Sequence, residues 1–463
     1  MKSFVYCIFV TLGCLFLGCK KATDWLNEPR SKQDVVFSAI EDYQKLLNNT
    51  SVFNLTLPTI GQVASDNIIV RDQFIQNLQI AERNSYLWNK DIFEGRSSVE
   101  YTVGYQAINY ANIVLYGIEE IGRNSFNSAT FDYVKGQAHF FRSLFYFELA
   151  NLFCKPYYHE TADVDLGLCL RTSPDINEIT NRSSILETYN LIVRDALISA
   201  ELLPETNIIK TRPSKCAAYL LLARIYLNMS DYENSRKYAE LCLNLNNSLL
   251  DFNLKPSLNL PYRFPDYNEQ NAEVVLYAQG NLYQTIFPSD FISYGVVDTS
   301  LYNEYEINDL RQIYFYNQID VQAVKFKGGY TGNASNFCGL AINEAYLIRA
   351  ESNIRLGNLN TARNDLNKLL RNRYKAGTYE DYASNNADSL LRKVLIERRK
   401  ELPFTGNIRW QDLRRINLDP SLATPIYRKV NGILIELQPN DKRYVYPIPQ
   451  NEINLTGITQ NER

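Results

Sequence analysis

Two stretches of this chain carry the same pattern, and that repetition limits the fold more than any other feature. Ser214–Met229 has helical apolar spacing, turns at Ser230-Asp231, and returns as a second helix over Tyr232–Leu245. Asn343–Leu356, the turn Gly357-Asn358 and Leu359–Tyr374 repeat the arrangement. Ala223 and Tyr226 lie in the first helix, and the small Ser235, Ala239 and Cys242 face back from the second. Ala350, Gly357, Ala362 and Leu366 fall at the corresponding offsets of the other pair. Small residues at such places let two helices approach closely and bury a shared apolar stripe.

The spacing is tetratricopeptide-like, but a long intervening stretch separates the pairs, so the sequence does not read as a continuous solenoid. Further helices are expected at Asp34–Leu47, Tyr101–Ile121, Val134–Phe153 and Ile185–Leu203. Val134, Ala138, Phe141, Phe145, Leu149 and Leu152 mark one broad apolar face. Pro204 stops the fourth helix, and Thr211-Arg212-Pro213 reads as the start of the next, with proline in its first turn. Only 20 glycines and 16 prolines occur in 463 residues, fewer turn-formers than a turn-dense β protein needs. The predicted class is mainly α: tetratricopeptide-like helix pairs, a long loop-rich, aromatic-rich insertion, and few short strands. We expect one domain over 31–463, with a helical part at 31–250, a loop-rich segment at 251–340 and a second helical part at 341–463. Residues 50–95 are irregular and rich in Asn and Asp.

The first nineteen residues form a separate unit. Lys2 is the only charge before Lys20, and Phe4–Val10 with Leu12–Leu17 make an apolar run. It has the length of a signal core and is short for a membrane span. Leu17-Gly18-Cys19 ahead of Lys20-Lys21 resembles the lipobox of bacterial lipoproteins. Thr11-Leu12-Gly13-Cys14 is a second candidate, but cleavage there would leave an apolar stub in water. We therefore expect a signal peptide over 1–18, lipidation at Cys19 and a tether over 19–30.

Charge and residue counts remove several functions. The net charge is -3 and no basic arm stands out, so nucleic-acid binding has no electrostatic footprint. Two histidines, His139 and His159, are too few for a His-rich zinc site or a His-based catalytic pair. No phosphate-cradling glycine motif appears. No cofactor and no metal site is expected. Past Cys19 the five cysteines cannot all pair, and Cys154 with Cys169 is the one loop pair placed to bridge. Cys216 and Cys242 fall on apolar helix faces, where a free thiol acts as a small hydrophobe.

Five blocks in order resemble the SusD/RagB family of outer-membrane nutrient-binding lipoproteins. They are Ala64-Ser65-Asp66-Asn67, the helix Tyr105–Leu115, the helix Gly136–Phe153, the block Ile396–Arg415 with its Arg-Trp-x-Asp-Leu-Arg-Arg core, and the ending Tyr446-Pro447-Ile448-Pro449 with Thr459-Gln460-Asn461. Cys154-Lys155-Pro156-Tyr157 departs from the family's usual Gly-x-Val-Pro turn. The resemblance implies a helical, lipid-anchored protein on the outer face of the outer membrane. It would capture oligosaccharides without catalysis and deliver them to a TonB-dependent, SusC-like transporter. Peptide capture within the same family, or a surface glycoside hydrolase, are the alternatives. Family ligand residues lie outside the shared blocks, so none carries over.

Sugar recognition requires flat aromatic faces for ring C–H groups and polar partners for hydroxyls. With 33 tyrosines, 22 phenylalanines and 3 tryptophans, aromatic surface is plentiful. The candidates are Trp88 and Asn89; Tyr283, Tyr294, Tyr314 and Tyr330, with Asn281, Asp290 and Asn333 near them; and Asp66, Asn67 and Arg71 in the irregular early segment. Glu397 and Glu401 imitate a glycosidase pair, because i, i+4 spacing places them ~5–6 Å apart. Both leave one helix in one direction, and neighbouring arginines favour ionised carboxylates, which a general acid is not. We expect Trp410 and Leu413 to be buried while the block's arginines pair with Glu397 and Glu401.

Overall fold

A computed structural model describes residues 37–254, 260–266, 271–288, 293–320 and 323–463. The signal peptide, Cys19, the tether and Asp290 lie outside the described residues. The long helices follow one another as antiparallel neighbours. Val99–Ile121 packs on Ser128–Phe153, then Ile185–Leu202, Lys215–Asn228 and Tyr232–Leu245.

Ile342–Arg355 then packs directly against Tyr232–Leu245, and Leu359–Arg371 closes the run. The two helix pairs, distant in sequence, are therefore continuous in space. Ser352 Oγ donates to Ser235 Oγ at 3.1 Å across that junction, and Ser235 Oγ donates to the Ala223 carbonyl at 3.0 Å within the first pair. The small residues do what their size predicts, because each contact requires two helices close enough for short side chains to bridge them.

Helix boundaries follow cap chemistry. Ser184 and Glu187 form a reciprocal capping box at the start of Ile185–Leu202. Pro213 does not enter the next helix, contrary to expectation; Ser214 is the N-cap, its side chain accepting from the Ala217 amide. Ser128–Phe153 starts six residues earlier than the apolar spacing indicated, and the leading helix starts at Ile40. The irregular early segment contains the short helices Thr50–Phe53, Ile60–Ala64, Asp72–Ile75 and Ile80–Tyr86.

Among the described residues, short strands pair only two by two, in five antiparallel sheets. Two of them matter for the site. Ile68–Val70 pairs with Gly295–Val297, with Ile68 opposite Val297 and Val70 opposite Gly295. Tyr316–Asp320 and Ala323–Phe326 form a hairpin.

Charged groups tie the helical layers together from inside. Arg142 grips Asp195 at 2.6 and 2.9 Å, and His139 Nδ1 sits 2.9 Å from the same carboxylate. His139 is thus a buried packing group, whereas His159 is exposed. Trp410 is fully buried and Leu413 nearly so, but the arginines beside them do not pair with Glu397 and Glu401 as expected. Arg398 bonds Asp412 and Glu344. Arg415 bonds Glu351 and Asp412, and Arg414 donates to the carbonyls of Asn151 and Cys154. Helix direction is the reason: the arginines of Ile408–Ile416 point back to the helices they cross, while Glu397 and Glu401 face Arg311 at the start of the short helix Arg311–Phe315.

Cys154 and Cys169, the one loop pair placed to bridge, are both buried and free. Cys154 caps its helix through a bond from its amide to Ala150, and Cys169 is held in a strand opposite Arg182. Cys216 and Cys242 meet between their helices, Sγ to Sγ 3.6 Å.

Candidate functional site

The pairing of Ile68–Val70 with Gly295–Val297 decides what reaches the surface. Since Val70 lies opposite Gly295, Arg71 and Tyr294, one step beyond, are set beside each other at the end of the ladder. Gly295 allows this close approach: a Cβ there would stand 2.0 Å from the Thr285 carbonyl oxygen and 2.3 Å from Ile68 Cδ1. The Tyr294 amide donates to the Gln284 carbonyl at 2.8 Å, which fixes the residue's height above the sheet.

The turn after Arg71 begins the helix Asp72–Ile75, and its Phe74 stacks on Tyr294 with ring centroids 5.2 Å apart and planes 17° from parallel. Arg71 Nη2 donates to Asp320 Oδ2 at 2.8 Å, both side chains being nearly half exposed. Lys325 Nζ, from the other strand of that hairpin, donates to the Ser293 carbonyl at 2.7 Å and holds the hairpin against this edge. The outcome is a shallow surface carrying two parallel aromatic rings, a guanidinium and a carboxylate. An exposed ion pair of this kind contributes ~0–1 kcal/mol to stability, so its groups can exchange partners with a ligand at little cost.

Beneath the surface lies a layer of buried carboxylates. Glu82 accepts from the Thr285 amide at 2.6 Å; burial pushes its pKa up to about 7, against that hydrogen bond. Glu100 is fully buried and its pKa is raised for the same reason, although it accepts the Tyr283 hydroxyl. Asp66 is held by Arg409 and Arg399. Partial burial opposes its ionised form, but the two guanidiniums outweigh that and keep its pKa well below the usual carboxylate range.

The other sequence candidates are placed elsewhere. Trp88 is buried, its Nε1 donating to the Ala64 carbonyl at 2.8 Å and its ring covered by Arg428 at 4.5 Å. Asn89 is exposed and bonded to Asn84, at the edge where the C-terminal Arg463 donates to its carbonyl. Asn67 is buried and accepts from Arg399 at 2.9 Å. Tyr314 stacks on Phe252 at 4.3 Å and donates to its carbonyl. Tyr330 is buried and donates to Glu273 at 2.6 Å. Asn281 faces Glu100, and Asn333 lies against Tyr277.

Of the nine proposed ligand residues, Arg71 and Tyr294 are brought together, Arg71 exposed and Tyr294 half-buried. Phe74 and Asp320 were not foreseen. An isolated aromatic inside the polar run Asp72-Gln73-Phe74, three positions from Arg71, was the available signal for the first; nothing local marked the second.

Glu397 and Glu401 are fully buried inside a charge network. Arg311 bonds both, at 2.5 and 3.2 Å, Lys400 and Lys393 bond Glu397, and Arg373 bonds Glu401 at 2.8 Å. Burial would raise the Glu397 pKa, but Arg311, Lys400 and Lys393 hold it well below the ordinary range. Glu397 is therefore not available as an acid, and Glu401 is enclosed by Arg311 and Arg373. Among the described residues no three His, Cys, Asp or Glu side chains converge as a metal site would require, and no helix is long and apolar enough to cross a membrane.

Comparison with known proteins agrees with this architecture. Residues 24–227 match a SusD-like family described as starch-binding and associating with the outer membrane, and residues 293–463 match the SusD family itself. Residues 217–249 match a tetratricopeptide repeat, which is the first helix pair. SusD-like protein P2 of Formosa agariphila is 24% identical over 434 residues, covering 80% of this chain and 81% of the relative. A putative sugar binding protein of Bacteroides vulgatus has the same fold, with a TM-score of 0.75 at 20% identity over 92% of this chain and 99% of its own. The surface glycan-binding protein A of Bacteroides fluxus superposes with a TM-score of 0.70 at 17% identity over 92% of this chain and 99% of its own. With both halves matched and the order of blocks preserved from Asp66 to Asn461, this chain belongs to the SusD family.

Proposed function

We propose that this protein binds carbohydrate without cleaving it, on the surface formed by Arg71, Phe74, Tyr294 and Asp320. It would be anchored to the outer membrane through lipid on Cys19, facing outward, and pass its ligand to a TonB-dependent, SusC-like transporter. The observation carrying this reading is the partly exposed, near-parallel Phe74–Tyr294 pair beside the Arg71–Asp320 ion pair. Stacked rings desolvate the C–H face of a pyranose, and adjacent charged groups hydrogen-bond its hydroxyls directionally. The family description and the names of the sugar-binding relatives support the same ligand class. The burial of Glu397 and Glu401 among cations argues against hydrolysis at that pair.

The test is a glycan library and a mixed peptide pool offered to the purified full-length protein. Binding of glycans with no release of reducing ends supports the reading. Binding of peptides alone would replace the ligand class, and reducing ends lost in a carboxylate variant would overturn the non-catalytic role. Retention of Cys19→Ala protein on outer membranes would contradict the anchor.

A further inference from the structure

A helix pair is closed by its turn at one end and open at the other. In the pair Lys215–Asn228 and Tyr232–Leu245 the turn at Ser230-Asp231 makes the closed end, where Ser235 Oγ bonds the Ala223 carbonyl. At the open end Cys216, in the first turn of one helix, meets Cys242, in the last turn of the other. Their sulfurs are 3.6 Å apart, and Cys216 Sγ lies 3.7 Å from the Cys242 carbonyl oxygen. The contact is enclosed, with Cys216 1% exposed and Cys242 fully buried. A disulfide holds its sulfurs at ~2.05 Å. Closing the remaining distance of roughly 1.5 Å takes side-chain torsion and a small helix adjustment.

The two thiols are chemically unequal. The hydrogen bond between the sulfurs, with the nearby charge of Lys210, holds the Cys216 thiol below its ordinary pKa against burial. The same bond, together with burial, pushes Cys242 well above its own. Cys216 is thus the sulfur that ionises, and Cys242 the one that keeps its proton. The other described cysteines have no such activation: burial pushes Cys154 up to about 11 and raises Cys169 and Cys338 as well. The thiolate is the species that attacks in thiol–disulfide exchange.

We propose that Cys216 and Cys242 are a cross-linking site, oxidised in the exported protein to a disulfide that closes the open end of this helix pair. It rests on the export part of the proposed function, because disulfides persist in oxidising compartments, and it does not depend on the ligand. The co-reactant is a thiol oxidant that itself carries a disulfide. The Cys216 thiolate attacks one sulfur of that disulfide, forming a mixed disulfide and expelling the other sulfur as a thiolate. Cys242 then gives up its proton and attacks Cys216 Sγ, expelling the oxidant's remaining sulfur. Two cysteine thiols are oxidised, the oxidant's disulfide is reduced to two thiols, and the two protons pass to those thiols. Because both cysteines are buried in the folded chain, the exchange takes place while the pair is assembling, and the finished bond is shielded from reductant. A bridge across 26 positions restricts the unfolded chain and so stabilises the pair. The helix Ile342–Arg355 docks on that pair through Ser352 and Ser235.

The test uses full-length protein expressed with its leader, denatured with N-ethylmaleimide in the absence of reductant, digested and analysed by mass spectrometry. The expected product is a peptide pair joined through Cys216 and Cys242, lighter by two hydrogens than the reduced peptides and separated by dithiothreitol. Protein refolded with oxidised glutathione should form the same link and melt at a higher temperature than protein refolded with dithiothreitol. Cys242→Ala, which keeps a small apolar side chain at the contact, should abolish that difference. Removal of residues 1–18, read in the same digest, reports export independently. Alkylated Cys216 and Cys242 in a processed protein, or a link between Cys154 and Cys169 in place of this one, would overturn the site and leave the proposed function standing. Unprocessed protein with free thiols would contradict export instead, and refolding with oxidised glutathione then decides the site: no link overturns it.

Discussion

Arg409 clasps Asp66 with two parallel hydrogen bonds, Nε to Oδ1 at 2.6 Å and Nη2 to Oδ2 at 2.7 Å, across 343 positions of sequence. Arg399 completes the grip, bonding the Asn67 side chain and the Asp66 carbonyl, each at 2.9 Å. The strand Ile68–Val70 follows at once and leads to Arg71. The C-terminal arginine block therefore acts as a mount for the early segment, and the surface carrying Arg71 and Tyr294 stands on it. Two of the most family-like stretches of sequence turn out to be the two halves of one joint.

Asp66→Asn should loosen that joint. Removing one partner from a largely buried bidentate pair costs roughly 3 kcal/mol, to be read as a lower urea midpoint. Because Arg399 and Arg409 depress the Asp66 pKa on folding, the stabilisation is present above the ordinary aspartate pKa and is lost as pH falls below it. The native protein should approach the variant in stability on acidification below about pH 4, and keep its full advantage at pH 7.

Glu82 should behave in the opposite sense. Burial raises its pKa to about 7, so the folded state holds a proton that the unfolded state has released between about pH 4.5 and 7. Stability then falls as pH rises through that window. Glu82→Gln keeps an acceptor for the Thr285 amide and removes the titration. The variant should match the native protein near pH 4 and exceed it at pH 8 by up to about 3 kcal/mol, measured by denaturant unfolding at both pH values.

Glu397→Gln separates architecture from chemistry. It leaves Arg311 and Lys400, both buried, short of a counter-charge, and such losses cost ~3–5 kcal/mol. The expected outcome is a lower melting temperature. A variant of native stability with altered glycan turnover would contradict the structural role.

Gly295→Ala should damage the surface through the backbone. The new methyl meets a carbonyl oxygen and Ile68 at distances no Cβ adopts, so the ladder must part. Overpacking of this kind costs ~1–3 kcal/mol. Glycan affinity should drop along with stability, because the register that sets Tyr294 beside Arg71 depends on that contact.

Helices were legible in the sequence because their burial is one-sided: Val134 to Leu152, and the pairs around Ala223 and Ala350, show the period of the face they bury. Their stacking into one continuous run was not, since the contact between Ser235 and Ser352 spans a segment with no period at all. The site was half legible. Tyrosine abundance pointed to the segment that supplies Tyr294 to the candidate surface, but composition does not distinguish Tyr294, which stays partly exposed, from Tyr283 and Tyr330, whose hydroxyls turn inward to Glu100 and Glu273. Trp88 looked like a sugar platform and is a core ring, because its indole nitrogen finds the Ala64 carbonyl and Arg428 covers its face. Arg71 and Asp320 meet only where two separate two-stranded sheets come together in the fold, which local spacing does not encode. The arginine block was legible as structural, yet its partners were misassigned, because the carboxylates nearest in sequence face another way.

The most direct test of the account is the calorimetric affinity of full-length protein for a library-selected glycan, compared with that of Tyr294→Ala. The account predicts at least a tenfold loss, about 1.4 kcal/mol, with only a small drop in melting temperature, since Tyr294 is partly exposed and loses chiefly its stack on Phe74. Undiminished glycan binding by Tyr294→Ala would contradict the assignment of the Phe74–Tyr294 surface as the place where the ligand is held.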